Sequence, residues 1–215
     1  MPAIILLKVY RQPRYGDMVS VEFDDGTVVK VDPEIVVTHR VCTGKVLGDD
    51  EVAALRKAQE NLESRRALVK YLQVYRRTEG EAREYLRRRK FRAAAVDSAV
   101  AAAHELGLIN DVAYANDFAQ SRTTCSKHGI LRVRYDLKNR GVRDELINTA
   151  TSEVGSREVQ LEQARELAQR RRKSFPAGLE LAAQQRRLAG LLSRRGFQYE
   201  IVAQVLHEIL NTPDD

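Results

Sequence analysis

The amino-terminal part of the chain has the hydrophobic pattern of β-strands. Apolar and polar residues alternate from Val19 to Phe23, and Thr27–Val31 is rich in β-branched residues. The loop Asp24–Gly26 between these runs predicts a β-hairpin, because short loops that end in glycine favour a tight reversal of the chain. Ile4–Tyr10 predicts a further strand, whereas Ile35–Val41 fits either a strand or a short helix.

The pattern then becomes helical. Glycine and proline are absent from Asp49–Arg77, where apolar residues recur at helical spacing. The members of this series are Leu55, Ala58, Leu62, Val69 and Leu72. The spacing predicts one long amphipathic helix or two in tandem. Thr78 and Glu81 fit a capping box, so we expect a new helix to begin at Glu79.

The helical part contains an internal repeat. Tyr85–Phe91 resembles Asp136–Val142 and also Leu191–Phe197. In this register, further positions are apolar in every copy. These positions are Ala82, Val133 and Leu188; Ala95, Leu146 and Ile201; Val96, Ile147 and Val202; and Ala99, Ala150 and Val205. Each copy therefore predicts a helix, a tight turn and a second helix, which need a neighbouring unit to cover their apolar sides.

Two glycines mark the predicted turns. Gly141 and Gly196 stand where the first helix of a copy must end, and a left-handed residue favours glycine there. Lys90 occupies this place in the first copy, at a cost of roughly 1 kcal/mol if the backbone is the same. A further helix is expected before the second copy at Asp111–Arg122 and before the third at Val159–Arg172.

These elements together predict a mainly α fold. It consists of three tandem three-helix repeats in an elongated array, preceded by a small N-terminal segment that contains the β-hairpin. We expect the β-rich segment at residues 1–48 and the first repeat, with its long entry helix, at 49–109. The second and third repeats are expected at 110–157 and 158–215.

The charge of the chain is unevenly distributed. Of 215 residues, 36 are Lys or Arg and 30 are Asp or Glu, which gives a net charge of +6. Residues 1–50 carry six basic and eight acidic residues, so the positive excess lies in the helical part. This excess predicts an anionic partner, either a nucleic acid or an acidic protein surface.

Cofactor and enzyme chemistry find little support in the sequence. The two cysteines, Cys42 and Cys125, are far apart, which favours a reducing cytoplasmic compartment. No apolar run is long enough for a membrane span. The four histidines lack metal-ligand spacing, and Cys125 near His128 lacks the glycine turn of a nucleophile site. We therefore expect a non-enzyme without catalytic residues, metal or cofactor.

The residues of the helical part resemble the RecX family, regulators of the RecA recombinase. The most specific stretch comprises Gly107–Asp111, Tyr114, Ala115, Phe118, Arg122, Gly129, Val133, Leu137, Gly141 and Val142. The first repeat resembles the family at Arg76–Thr78, Glu81 and Leu86, and the third at Leu192–Phe197. The chain departs from the family pattern at Ala82, Lys90, Asn110 and Asp136, which concerns local packing.

The resemblance implies a regulator of DNA recombination, DNA repair and the SOS response. RecX proteins lie in the groove of the RecA filament on single-stranded DNA, where they hinder ATP hydrolysis, strand exchange and co-protease activity. We accordingly expect a cytoplasmic monomer that binds this filament, most simply as an inhibitor, with weak direct DNA contact as an additional mode. A helix-turn-helix-like DNA-binding protein that acts independently of RecA is the alternative, and a helical scaffold for another acidic protein is a third.

Outward-facing basic residues are the candidates for the binding surface. They are Arg87, Arg88, Arg92, Arg132, Lys138, Arg143, Arg170, Arg171, Arg172, Lys173 and Arg194. By contrast, Arg89, Arg140 and Arg195 recur at one inward position of the three copies. We expect these three to support the fold, each by meeting the last carbonyls of its own helix. Few aromatic residues lie among the cations, so sequence-specific reading of DNA is not expected.

Overall fold

The computed structural model describes residues 4–11, 18–23 and 26–211. The described chain is mainly helical and has a small antiparallel sheet near its amino terminus, which confirms the predicted fold class. It divides into two compact units. One comprises Met1–Tyr75 with Ala82–Leu108, and the other comprises Arg76–Glu81 with Ile109–Asp215.

The sheet of the first unit has the strand order β3-β2-β1-β4. Its strands are β1 (Ile4–Arg11), β2 (Val19–Phe23), β3 (Val28–Val31) and β4 (Val46–Leu47). The pairing of β2 with β3 is antiparallel, as the hairpin pattern predicts, although its loop residues Asp24 and Asp25 lie outside the described residues. The two-residue strand β4 pairs with β1 and was not predicted, because two residues carry no readable period.

The segment after the hairpin is helical, which decides between the two alternatives left by its sequence. Helix α1 (Pro33–Thr38) begins at Asp32, whose carboxylate accepts the backbone N–H of Glu34. Helix α2 (Asp49–Leu72) follows and covers the sheet. The core formed by the sheet, α1 and α2 contains Val21, Phe23, Val29, Val31, Ile35, Val41, Leu47, Val52 and Leu55.

The second half of α2 packs against the first copy of the repeat. Helix α3 spans Glu79–Arg88 and α4 spans Ala93–Glu105. The Ser64 hydroxyl donates to the Ala95 carbonyl, which allows α2 and α4 to approach closely. Leu68 of α2 is fully buried, whereas Val69 of the predicted series is only partly buried.

The second unit contains the second and third repeats, each around its own core. The second repeat comprises α5 (Asp111–Thr124), α6 (Ile130–Asn139) and α7 (Asp144–Val154), and the third comprises α8 (Arg157–Arg172), α9 (Leu181–Arg195) and α10 (Tyr199–Asn211). The repeat register is confirmed at its central position, where Ala82, Val133 and Leu188 are all fully buried. The equivalent residues therefore form the inner face in each repeat.

The turn inside each repeat has the same backbone. Lys90, Gly141 and Gly196 all lie in the left-handed region, with φ of 66°, 75° and 85°. The amide that follows each of them bonds back to the carbonyl five residues earlier, a Schellman arrangement. At two of the turns glycine is also required because the neighbouring backbone leaves no space for a Cβ. A Cβ at Gly141 would lie 2.8 Å from the Gly80 Cα, and a Cβ at Gly196 would clash with the Arg132 amide nitrogen.

Replacing Lys90 with glycine is expected to stabilise the protein. The change removes the steric penalty of a Cβ at positive φ, and the greater freedom of glycine in the unfolded chain offsets part of this gain. We expect the free energy of unfolding in urea to rise by roughly 0.5–1 kcal/mol. Gly141→Ala, the opposite exchange at the equivalent turn, should lower it by about 1–3 kcal/mol. If the fall in the free energy of unfolding at Gly141 were no larger than the rise at Lys90, the close approach at Gly141 would be contradicted.

Candidate functional site

The candidate cations of the first unit are paired with acidic side chains. Arg87 and Arg88 both reach the Glu84 carboxylate on the same helix, at 3.4 and 2.9 Å. Arg92 precedes α4, and both its backbone N–H and its guanidinium donate to Glu60. All three arginines are exposed, so each pair stabilises the fold little. Their positive charge is nevertheless balanced locally before any partner arrives.

Two candidates on α6 are paired in the same way. Arg132 contacts Asp136 at 3.0 Å, one helical turn away, and Lys138 contacts Asp144 at the start of α7 at 3.3 Å. Arg143 stands at the N-cap of α7 and is exposed. No carboxylate of the described residues lies within salt-bridge distance of Arg143. Two of the three candidate cations of the second repeat are thus compensated by carboxylates.

The end of α8 differs, because most of its cations have no acidic partner. Arg172 differs from the others because it has a structural contact. Its guanidinium donates to the Ile209 carbonyl and links α8 to α10. Arg170, Arg171 and Lys173 are exposed and form no salt bridge with a carboxylate of the described chain. Arg194 on α9 is likewise exposed, without such a pair among residues 26–211.

Arg187 joins this group and was missed by the sequence reasoning. The guanidinium carbons of Arg171 and Arg187 lie 5.6 and 5.8 Å from the centre of the half-buried Phe175 ring. Stacking on an aromatic face orients a guanidinium but does not neutralise it. We call Arg170, Arg171, Lys173 and Arg187 the third-repeat basic cluster. The adjacent arginines 186 and 187 were the available signal, but their helix face could not be assigned from spacing alone.

A groove between α6 and α7 is the second distinctive surface. It has a volume of about 360 Å³ and is lined by Arg134, Tyr135, Lys138, Asp144, Ile147 and Asn148. The Arg134 guanidinium donates to the Asn148 side-chain oxygen across it. Tyr135 is 59% exposed, and Leu131, one turn earlier on α6, is 50% exposed. We call this surface, including Leu131, the α6–α7 groove.

The apolar residues of the α6–α7 groove are peculiar to the second repeat. In the repeat register, the position of Tyr135 is occupied by Glu84 in the first copy and by Gly190 in the third. Leu131 corresponds in the same way to Gly80 and Arg186. The common fold therefore does not require a large apolar side chain at either position. Comparison of the copies could have revealed this from the sequence.

Two of the three recurring arginines bind the preceding repeat, whereas Arg89 is exposed and lies 5.0 Å from the Tyr85 ring centre on its own helix. Arg140 donates to the Glu81 carboxylate of α3 at 2.9 Å and lies 5.2 Å from the Phe118 ring centre. Arg195 donates to the Ser126 carbonyl, just beyond α5, at 2.6 Å. The prediction that each would meet the last carbonyls of its own helix was wrong. The side chains of Arg140 and Arg195 instead reach the preceding repeat, because the ends of their helices lie against it.

The backbone completes both of these contacts, which we call the repeat joints. At one joint, the Thr78 hydroxyl donates to the Arg140 carbonyl. At the other, the Gly129 amide donates to the Arg195 carbonyl at 2.9 Å. The predicted capping box of α3 is confirmed, with the Glu81 amide donating to the Thr78 hydroxyl and the Thr78 amide to the Glu81 carboxylate. One end of a helix is thereby bound to the turn of the next repeat.

The joints contain two groups with shifted pKa. Burial raises the pKa of the Tyr114 hydroxyl, which lies in the field of both Arg140 and Glu81. Burial also lowers the pKa of His128, and the charges of Arg195 and Arg122 lower it further. The Nδ1 atom of His128 is buried without a hydrogen-bond partner among the described residues. Protonation of His128 is therefore less favourable in the folded protein than in the unfolded chain.

The described residues include no group suited to hold a metal ion and no helix suited to span a membrane. No three or more His, Cys, Asp or Glu side chains within them are placed to hold a metal ion. Cys125 is exposed at the end of α5. No helix of the described chain is long and apolar enough to cross a bilayer.

Comparison with known proteins finds similarity over most of the chain. Residues 110–150 match the family model of the RecX second three-helix domain, and residues 158–206 match that of the third. The chain is 24% identical over 207 residues to a "Regulatory protein RecX" of Clostridioides difficile (strain 630), with 96% of each chain covered. It is 23% identical to a protein of the same name from Bacillus cytotoxicus, covering 98% of this chain and 79% of the relative.

Two solved structures share the fold. One, described as the crystal structure of regulatory protein RecX, has a TM-score of 0.67 at 21% identity and covers 94% of this chain and 98% of its own. Another, RecX from Lactobacillus salivarius, has a TM-score of 0.61 at 23% identity, covering 71% and 97%.

Arg140→Ala is expected to destabilise the protein by about 1–2 kcal/mol, because it removes a partly buried ion pair and a cation–π contact together. Lys138→Ala, two positions earlier, removes only an exposed pair and should change stability by less than about 0.5 kcal/mol. Urea unfolding of both variants measures the difference. If the two changes cost the same, Arg140 does not hold the joint.

The lowered pKa of His128 makes stability depend on pH. Histidine in the unfolded chain ionises near 6.5, and the lowered pKa in the folded protein means that the unfolded state binds more protons as the pH falls through this value. The free energy of unfolding should therefore fall as the pH drops through about 6.5, and His128→Gln should remove this part of the decrease. Urea unfolding of both proteins at several pH values tests this. Parallel pH profiles would show that His128 titrates normally.

Proposed function

Because the chain belongs to the RecX family, we propose that it regulates the RecA recombinase by binding in the groove of the RecA filament on single-stranded DNA. In this proposal it acts without a cofactor and lowers the ATPase, strand-exchange and co-protease activities of the filament. The observation that carries the proposal is the match of two consecutive repeats to the second and third RecX domains. The basic helical part provides charge complementary to a nucleoprotein partner.

The α6–α7 groove is the proposed contact with the recombinase protein. Its apolar residues Leu131 and Tyr135 are exposed. Of its two cations, Lys138 is balanced by Asp144, and Arg134 donates to the neutral Asn148 amide, so the described residues of the groove offer a single uncompensated charge. Phosphate binding needs uncompensated charge, while protein interfaces favour exposed tyrosine beside apolar side chains. The groove therefore suits a bulky side chain of a filament protomer better than it suits DNA.

The paired cations are proposed to contribute in a different way. Arg87, Arg88 and Lys138 are exposed, and a partner that offers acidic groups can compete for them. Exchange of one carboxylate for another changes the free energy little, so such contacts add orientation and association rate more than affinity.

The alternative is a DNA-binding protein that acts independently of RecA. The third-repeat basic cluster is the observation that favours it, because its charge is uncompensated among the described residues. The two functions differ in one measurable property, the effect on RecA. A RecA regulator changes ATP hydrolysis by preformed filaments, and an independent DNA binder does not.

The experiment titrates the protein into RecA filaments on single-stranded DNA and follows ATP hydrolysis. Wild type is expected to inhibit, and Leu131→Ser/Tyr135→Ser should need at least about tenfold more protein for half inhibition, because two interface side chains each carry about 1 kcal/mol or more. Both residues are exposed, so thermal unfolding should change little.

Leu181→Ser/Tyr199→Ser is the matched control. It removes a leucine and a tyrosine that are exposed on the third repeat, at 56% and 80%. The control should inhibit like wild type. No change of ATP hydrolysis with wild type would reject the proposed function, and equal inhibition by the two double variants would reject the groove as the contact.

A further inference from the structure

We propose that the third-repeat basic cluster binds the phosphodiester backbone of single-stranded DNA, independently of base sequence. The inference rests on the proposed function for its setting, since that function places the protein on a filament that contains such a strand. It goes further by separating the two surfaces, with the α6–α7 groove facing protein and the cluster facing nucleic acid.

The geometry of the cluster brings cations from two helices to one place. Arg171 comes from the end of α8 and Arg187 from the middle of α9, and both guanidiniums lie over the Phe175 ring. Arg171 is also held by the Ser174 hydroxyl at 3.3 Å. A guanidinium oriented in this way loses little side-chain freedom on binding and presents its donors as a fork that fits a phosphate.

Uncompensated charge gathered in one place distinguishes the cluster from the other candidate cations, among which Arg143 and Arg194 also lack a carboxylate partner within the described residues. Arg87, Arg88, Arg92, Arg132 and Lys138 each have a carboxylate partner. Arg170, Arg171, Lys173 and Arg187 form no salt bridge within the described part of the chain, and all four are exposed. A phosphate that approaches the cluster therefore displaces counterions and no carboxylate, which is the usual source of affinity for DNA.

The aromatic ring in the cluster does not act as a base-stacking platform. Phe175 is half-buried in the third-repeat core and is already covered by two guanidiniums. Bases that stack on aromatic side chains need an open face, as in single-strand binding folds. Contacts from this cluster therefore reach phosphates, which position a strand without reading its sequence.

The experiment measures binding of the full chain to a fluorescent oligo(dT) without RecA, at several salt concentrations. Arg171→Gln/Arg187→Gln should lower the affinity at least tenfold at low salt. It should also reduce the slope of log affinity against log salt by about 1.4, because each lost phosphate contact removes about 0.7 on single strands. Arg170→Gln/Lys173→Gln should have a similar effect, and it leaves the contacts to Phe175 in place.

Arg56→Gln/Arg65→Gln is the control, because it removes the same charge from exposed positions of α2. It should keep the slope of wild type. Failure of wild type to bind oligo(dT), or an unchanged slope in both cluster variants, would overturn the inference. So would an equal loss in the control, which would indicate an effect of net charge alone. Inhibition of RecA by a protein that fails to bind oligo(dT) would reject this inference and leave the proposed function standing, whereas oligo(dT) binding without any effect on RecA would do the reverse.

Discussion

The close approach of two backbones at each repeat joint is the constraint on which the second unit depends. At one joint Gly80 faces Gly141, and at the other Gly129 faces Gly196, with room for a Cβ at none of the four. The closeness allows the Thr78 hydroxyl and the Gly129 amide to bond to the turn opposite. Polar groups at helix starts, which would otherwise need water, are thus satisfied by the neighbouring repeat. The same hydrogen bonds therefore both hold neighbouring repeats together and satisfy the starts of their helices.

The arginines of the chain serve several distinct purposes, which their contacts separate. Arg140 and Arg195 are bound at the joints, and Arg172 ties α8 to α10. Others, such as Arg88, are balanced by an acid on the same helix. Whether an arginine has a nearby carboxylate determines whether its positive charge is available to a partner. A basic composition by itself therefore indicates the class of partner and leaves the contact surface undetermined.

Much of the fold could be predicted from the sequence because the module is repeated. Val133 and Leu188 were assigned to the core by register alone, and the turns at Lys90 and Gly141 were placed by the same register. The pairing of Arg92 with Glu60 could not be predicted, since it joins α2 to the start of α4 and depends on their packing. Arg170, Arg171 and Lys173 were candidates from the sequence, but Arg187, which meets Arg171 over Phe175, was missed for the same reason. Local pattern determines the helices, and side-chain partners follow from tertiary placement.

Lys90 at the first turn has a consequence for where a repeat joint can form. Gly141 and Gly196 each leave space for the helix start that packs on them, and Lys90 fills the corresponding space with its Cβ. A joint of the same geometry cannot form at that turn. A Cβ at this position would meet the backbone of any helix start placed as at the other two joints. Joints of this kind therefore form at the glycine turns of the second and third repeats, and the lysine makes the first turn unlike them.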